Sequence, residues 1–296
     1  KKCNINVFSL IDELASLGTQ YIHFTGGGEP FVNDDIFEYL DYCTQKKIKI
    51  ILISNGLNID EAKIKKMSNY NIVAIFFSID SHIPEVHDAL RRTQGLWNKV
   101  TSNINLIKQY MPEVKIVLNH VLNKKNIDDF EKFIMMKKTF DFDYINPIVI
   151  KDYDALFFTE DQIEKYNNKL DYYNNLANSL GLEFLSDNID FFNNKVSSLG
   201  DRYNNIDLKC LYPSFCSFVD APTGFVYPCD CSIHRDRKIY KIGDLKVQTF
   251  KEIWNGEKRK NLRKKLINSE LDCKTKCDEA NCQFNRCLLK EKEKEL

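Results

Sequence analysis

Gln20-Tyr21-Ile22-His23-Phe24-Thr25-Gly26-Gly27-Gly28-Glu29-Pro30 is a short β-prone run that ends in three glycines and an acid. Its first half predicts a strand and its second half a tight turn into a helix. Upstream, Val7, Leu10, Ile11, Leu14 and Leu17 fall on one helical face, and Gly18 stops that helix. Downstream, further strands are predicted at Ile48–Ile53, Ile72–Ser78, Val114–Leu122 and Asp143–Ile150. Helical patterns separate them; Ile127, Phe130, Phe133 and Ile134 form one such apolar face. Strict alternation of strand and helix implies parallel strands with right-handed crossovers. The expected fold class is α/β: a partial (β/α)6 TIM-like barrel, with a sixth strand expected before Lys1. A doubly wound sheet is the alternative.

In either fold, chemistry belongs at the C-terminal ends of the strands. Those ends carry Gly26–Glu29, Ser54-Asn55-Gly56, Ser78-Ile79-Asp80, Asn119-His120 and Asn146-Pro147. Three glycines leave backbone N–H groups uncovered, so a ligand can approach closely. Glu29 adds a negative charge beside them. Such a turn suits a ligand with a carboxylate and an ammonium, and equally a plain βα connection with a chance acid. It is neither a phosphate-binding loop, since no Gly-Lys-Ser/Thr follows, nor a dinucleotide fingerprint. Asp80 is a candidate helix cap, and His120 a core or rim histidine.

The 296 residues suffice for one large and one smaller domain, and 43% are hydrophobic. Formal net charge is zero, so charge gives no argument for nucleic acid. No run of about 18 apolar residues occurs, so no membrane span is expected. Ten cysteines are unevenly placed: Cys3 and Cys43 precede a cluster of eight between Cys210 and Cys287. With no secretory signal and many lysines, a cytoplasmic location is expected; disulfides are rare there, and metal leads. The spacing Cys210-x5-Cys216-x7-Gly224-x4-Cys229 comes first, and Cys273-x3-Cys277-x4-Cys282-x4-Cys287 follows. Gly224 marks a turn expected to bring Cys216 and Cys229 together across a hairpin. Both iron–sulfur clusters and structural zinc use such thiolates. Cys43 reads as a small buried hydrophobe. The domains are drawn as 1–200, the barrel, and 205–296, the cysteine-rich part.

The chain resembles the radical S-adenosylmethionine (SAM) superfamily in Phe24-Thr25-Gly26-Gly27-Gly28-Glu29-Pro30 and in Ser54-Asn55-Gly56. Its C-terminal part resembles the SPASM domain in the Gly224-x4-Cys229 turn, Gly243-Asp244-Leu245, Phe250-x2-Ile253-Trp254 and the late cysteines. The resemblance implies that Gly26, Gly27, Gly28 and Glu29 bind the SAM amino group. It implies that Ser54, Asn55, Ser78 and Arg91 approach the same cofactor. It implies one auxiliary [4Fe-4S] cluster on Cys210, Cys216, Cys229 and Cys287. A second would sit on Cys273, Cys277 and Cys282, its fourth position taken by Cys231, a carboxylate or an open site. The barrel favours iron–sulfur over zinc.

The family's primary cluster uses Cys-x3-Cys-x2-Cys, which does not occur here. Lys2-Cys3-Asn4-Ile5-Asn6 resembles the start of that motif, with Cys3 its first ligand. A segment between Asn6 and Val7 is expected to be absent, together with the first strand. Asp230, in Pro228-Cys229-Asp230, resembles a proton acceptor of sulfatase-maturating enzymes; a turn-capping role is the alternative. The implied reaction is reductive cleavage of SAM to a 5′-deoxyadenosyl radical that takes hydrogen from a peptide or protein side chain. The alternatives are a small substrate such as a sugar or aminocyclitol, or a non-catalytic metal-binding scaffold. An electron donor such as flavodoxin or ferredoxin is the implied partner, with no nucleic acid and no membrane.

Overall fold

The computed structural model describes residues 3–26, 28–149, 154–185, 212–229, 232–233 and 237–268. The chain divides into two compact units, Gln20–Lys195, and Lys1–Thr19 together with Val196–Leu296.

Gln20–Lys195 is built on six strands: β1 (Tyr21–Phe24), β2 (Lys49–Ser54), β3 (Ile72–Ser78), β4 (Lys115–Leu122), β5 (Tyr144–Val149) and β6 (Glu183–Phe184). All neighbours are parallel and the order is β1-β2-β3-β4-β5-β6. A doubly wound sheet reverses its strand order at a switch point; this sheet never does, so the partial barrel stands. The sixth strand comes from Glu183–Phe184. It is only two residues long, too short to show a period.

The helices follow from their caps and apolar faces. α2 (Ile36–Gln45) buries Ile36, Tyr39, Leu40 and Cys43. α3 (Glu61–Met67) begins at Asp60, whose side chain accepts from Lys63 N. α4 (Pro84–Arg91) starts on a proline, and α5 (Leu96–Tyr110) buries Leu96, Val100, Ile104 and Ile107. α6 (Phe130–Met135) buries Phe130, Phe133 and Ile134, with Ile127 in the turn before it. α7 (Glu160–Asn167) opens with a Thr159–Gln162 capping box, and α8 (Leu170–Ser179) leads into β6. Inward residues of the strands, among them Leu52, Ile75, Phe77, Ile116, Leu118 and Ile145, are fully buried.

In the other unit, α1 (Val7–Ser16) is capped by Asn6, whose side chain accepts from Ser9 N at 3.0 Å. It ends in a Schellman turn: Gly18, at φ +79°, donates to Ala15 O, and Thr19 N donates to Leu14 O. Its Leu10, Leu14 and Leu17 pack on a core of Val226, Tyr227, Ile242, Phe250, Ile253 and Leu262. Domain boundaries drawn from the sequence put this helix with the barrel; its packing partners are C-terminal residues. The unit's sheet is antiparallel, β7 (Phe218–Asp220), β8 (Phe225–Tyr227) and β9 (Gly243–Asp244). Helices α9 (Arg237–Tyr240), α10 (Phe250–Asn255) and α11 (Glu257–Ile267) complete it. Among the described residues, no helix is long and apolar enough to cross a membrane.

Candidate functional site

Parallel strands put β1 and β2 side by side, so the glycine turn and Ser54-Asn55-Gly56 meet at one edge. Glu29 joins them. Its Oε1 accepts from Ser54 Oγ at 2.7 Å and Phe31 N at 3.4 Å; its Oε2 accepts from Asn55 N at 2.8 Å. A carboxylate offers about four lone-pair positions. Three are used, which leaves room for one further donor. Ser54 is buried and also accepts from Gly56 N at 2.9 Å, so it orients Glu29 from below. Asn55 Oδ1 accepts from Leu57 N.

Gly26 sits at φ +137°, which other residues rarely adopt. A methyl group at Gly26 or Gly28 would meet nothing within 4 Å, so the turn is open to an approaching molecule. Gly27 lies outside the described residues. An open glycine turn with a partly satisfied carboxylate fits the amino-acid end of SAM. Gly56, by contrast, is walled in: at φ +79°, a methyl there would lie 2.7 Å from Val100 Cγ2.

Ser78 ends β3, half-buried. Two residues on, Asp80 is 5% exposed and does not cap α4, whose N-cap is Ile83 with no side-chain bond. Its carboxylate takes the Arg91 guanidinium side-on, Nη2 at 2.9 Å and Nε at 2.5 Å, and also Val121 N at 3.0 Å. Arg91 is thereby held, not a loose surface arginine. Asn126 Nδ2 donates to Asp80 O, and Asp80 N donates to His87 Nδ1. This lock was missed from sequence; only the end of β3 hinted at it. His120 is 1% exposed, its Nδ1 3.0 Å from Ile79 O, between Phe130 and Phe133. Burial pulls its pKa down to about 4, and pulls that of His87 down as well. Burial thus favours the neutral imidazole at both. Asn119 and Asn146, paired in register across β4 and β5, are bonded Nδ2 to Oδ1 at 2.8 Å.

Of the cysteines, Cys3, Cys43, Cys216 and Cys229 are described. Cys43 is fully buried in α2, and burial pushes its thiol up to about 12, so it is inert as a ligand. The β7–β8 ladder pairs Phe218 with Tyr227. Two residues further along each arm are Cys216 and Cys229, so the ladder's register sets them opposite each other. The turn that closes this hairpin needs Gly224, at φ +79°. Asn4 fastens it, donating from N to Ala221 O and from Nδ2 to Pro222 O. Facing thiolates fit two neighbouring corners of a cluster. Cys210, Cys231, Cys273, Cys277, Cys282, Cys287 and Asp230 lie outside the described residues. Among the described residues, no three His, Cys, Asp or Glu side chains gather to hold a metal. Of the expected primary-cluster ligands, Cys3 stands in this sequence, and the Cys-x3-Cys-x2-Cys spacing does not follow it.

Residues 6–136 match the radical SAM superfamily, and residues 210–283 match the SPASM iron-sulfur cluster-binding domain. A cysteine-type anaerobic sulfatase-maturating enzyme of Clostridium novyi (strain NT) is 28% identical over 267 residues, 85% of this chain and 68% of that protein. A mycofactocin maturase of Mycolicibacterium smegmatis is 30% identical over 124 residues, 42% of this chain and 31% of that protein. The chain therefore spans about two thirds of the first relative and about a third of the second. Among solved structures, native anSMEcpe with bound AdoMet and Kp18Cys peptide has TM-score 0.63 at 20% identity, covering 92% of this chain and 78% of that one. Streptococcus suis SuiB bound to precursor peptide SuiA has TM-score 0.60 at 12% identity, covering 88% and 64%. Both likenesses speak to the fold.

Proposed function

Since the chain belongs to the radical SAM superfamily and carries a C-terminal SPASM iron–sulfur domain, we propose that it acts on a peptide or protein side chain. The relatives support this class: one matures sulfatases, one matures mycofactocin, and SuiB was solved with its precursor peptide. One electron from a primary cluster, for which this sequence offers Cys3, would cleave bound SAM to a 5′-deoxyadenosyl radical that takes a hydrogen atom from carbon. The chain's own residues bind and orient. Glu29 accepts the SAM ammonium on its remaining lone pair, with Ser54 and Asn55 N fixing the carboxylate. Glycines 26–28 let the cofactor close on the backbone. Ser78, and Arg91 held by Asp80, lie on β3 and α4 for its polar end. Cys216 and Cys229, with Cys210 and Cys287, hold an auxiliary cluster; Cys273, Cys277 and Cys282 hold a second. Asp230, next to Cys229 in sequence, would accept the proton that the substrate radical loses, and the auxiliary cluster on Cys229 would take the radical's electron.

The observation that carries this reading is the Glu29 carboxylate, fixed on two sides beside an open glycine turn. Equilibrium dialysis with labelled SAM tests it. Removing the charged acceptor in Glu29→Gln is expected to weaken binding about tenfold or more, since hydrogen bonds to charged groups contribute about 1.5–3 kcal/mol. Equal affinity in both proteins would remove Glu29 from the site. In turnover of full-length, cluster-loaded protein with a peptide, Asp230→Asn should cut peptide product about 10²–10⁴-fold while 5′-deoxyadenosine still forms. Full product would return Asp230 to a structural role.

A further inference from the structure

Arg259, on α11, is 5% exposed. Its Nη2 donates to Pro213 O at 2.7 Å and to Ser214 O at 3.4 Å, and its Nη1 to Trp254 O at 3.0 Å. The guanidinium lies flat on the Trp254 ring, 3.3 Å from its centroid. All its partners are neutral. No carboxylate pairs with it among the described residues, and the nearby Arg263 adds a like charge that, after burial, holds its pKa down to about 10. A buried cation with no counter-charge costs several kcal/mol. Carbonyl dipoles and an aromatic face offset part of this, but they carry no net negative charge.

The two carbonyls it grips lie one and two peptides before Phe215-Cys216. Two residues of chain span at most about 7 Å, so the guanidinium anchors the backbone two residues before Cys216. A four-iron cluster held by four thiolates is anionic, and its potential responds to nearby charge and hydrogen bonding. We infer that Arg259 is a positioning residue for the auxiliary cluster: it holds the Pro213–Cys216 segment in place and supplies the counter-charge to the cluster that Cys216 and Cys229 bind. This rests on the reading of those cysteines as iron–sulfur ligands.

The same geometry predicts an asymmetry between substitutions. Lysine keeps the charge and loses the fork; glutamine keeps donors for the carbonyls and loses the charge. Full-length protein, reconstituted anaerobically with iron and sulfide, would be followed by iron analysis and by a redox titration monitored by electron paramagnetic resonance. The relevant signal is the one absent from Cys216→Ala. Arg259→Gln should lower iron occupancy or move that signal's midpoint to more negative potential, because reduction adds charge that no cation now balances. Arg259→Lys should stay near the wild-type midpoint and iron content. Wild-type iron and midpoint in Arg259→Gln would overturn the inference. So would equal losses in both variants together with an equal fall in melting temperature, which would make Arg259 a packing residue. Stoichiometric zinc in place of iron in the wild-type protein would sink the iron–sulfur reading itself, whatever Arg259 does.

Discussion

His120 shows how burial decides what a residue can do. Its ring lies between Phe130 and Phe133, with Ile79 O on Nδ1, and Asp80, Arg91 and His87 are the charged or titratable groups around it. Desolvation holds it neutral, with a pKa of about 4. A histidine whose folded pKa lies below its unfolded value stabilises the fold above the unfolded value, and that stability fades as pH falls toward the folded one. The window is therefore from about pH 6.5 down to about pH 4. Urea unfolding at about pH 7.5 and pH 5 should show the wild type losing about 2 kcal/mol more than His120→Phe between the two. Equal losses would place the proton uptake elsewhere. The Glu29, Ser54 and Asn55 cluster was legible in the sequence, because parallel strands place consecutive C-terminal ends together. The Asp80–Arg91–His87 lock was not, because it depends on how α4 folds back on β3, and no periodicity encodes that.

At the scale of elements, the spacing Gly243…Ile253 has a packing cause. A methyl on Gly243 would overlap the side-chain carbons of Ile253, Cδ1 at 2.5 Å and Cγ2 at 2.6 Å. The absent side chain lets α10 seat Ile253 directly on β9. α10 itself is fixed by a Thr249–Glu252 capping box. Overpacking a tight core typically costs about 1–3 kcal/mol, so Gly243→Ala should destabilise by that order. Shortening the opposing residue should recover part of the loss. A double-mutant cycle of Gly243→Ala with Ile253→Ala, which removes every overlapping carbon, is expected to give a coupling energy of about 0.5 kcal/mol or more in favour of the pair. Additive losses would mean that the two residues do not share this space. The five longer strands were readable from β-branched runs; Glu183–Phe184 was not, since two residues make no pattern and only the edge of β5 recruits them.

At the scale of the molecule, the two chain ends form one unit. Leu10, Leu14 and Leu17 of α1 cover the core of Val226, Ile242, Ile253 and Leu262, Glu13 accepts from Lys251 N at 3.1 Å, and Asn4 fastens the Asp220–Gly224 turn. Sequence order conceals this: an amphipathic helix shows which face it buries but not what covers it, and its position before β1 suggested the barrel. The consequence is a selective loss. Trimming Leu10 and Leu14 together to alanine removes apolar contact from the C-terminal core, at about 2–5 kcal/mol for each fully buried leucine and less for these partly buried ones. Hydrogen exchange should therefore quicken at the amides of Val226, Ile242 and Ile253. Ile50, Ile75 and Leu118, fully buried in the parallel sheet of the other unit, should keep their protection. A uniform loss across both sets would mean that the chain unfolds as one cooperative body. Unchanged exchange in both would mean that α1 adds nothing to the core it covers.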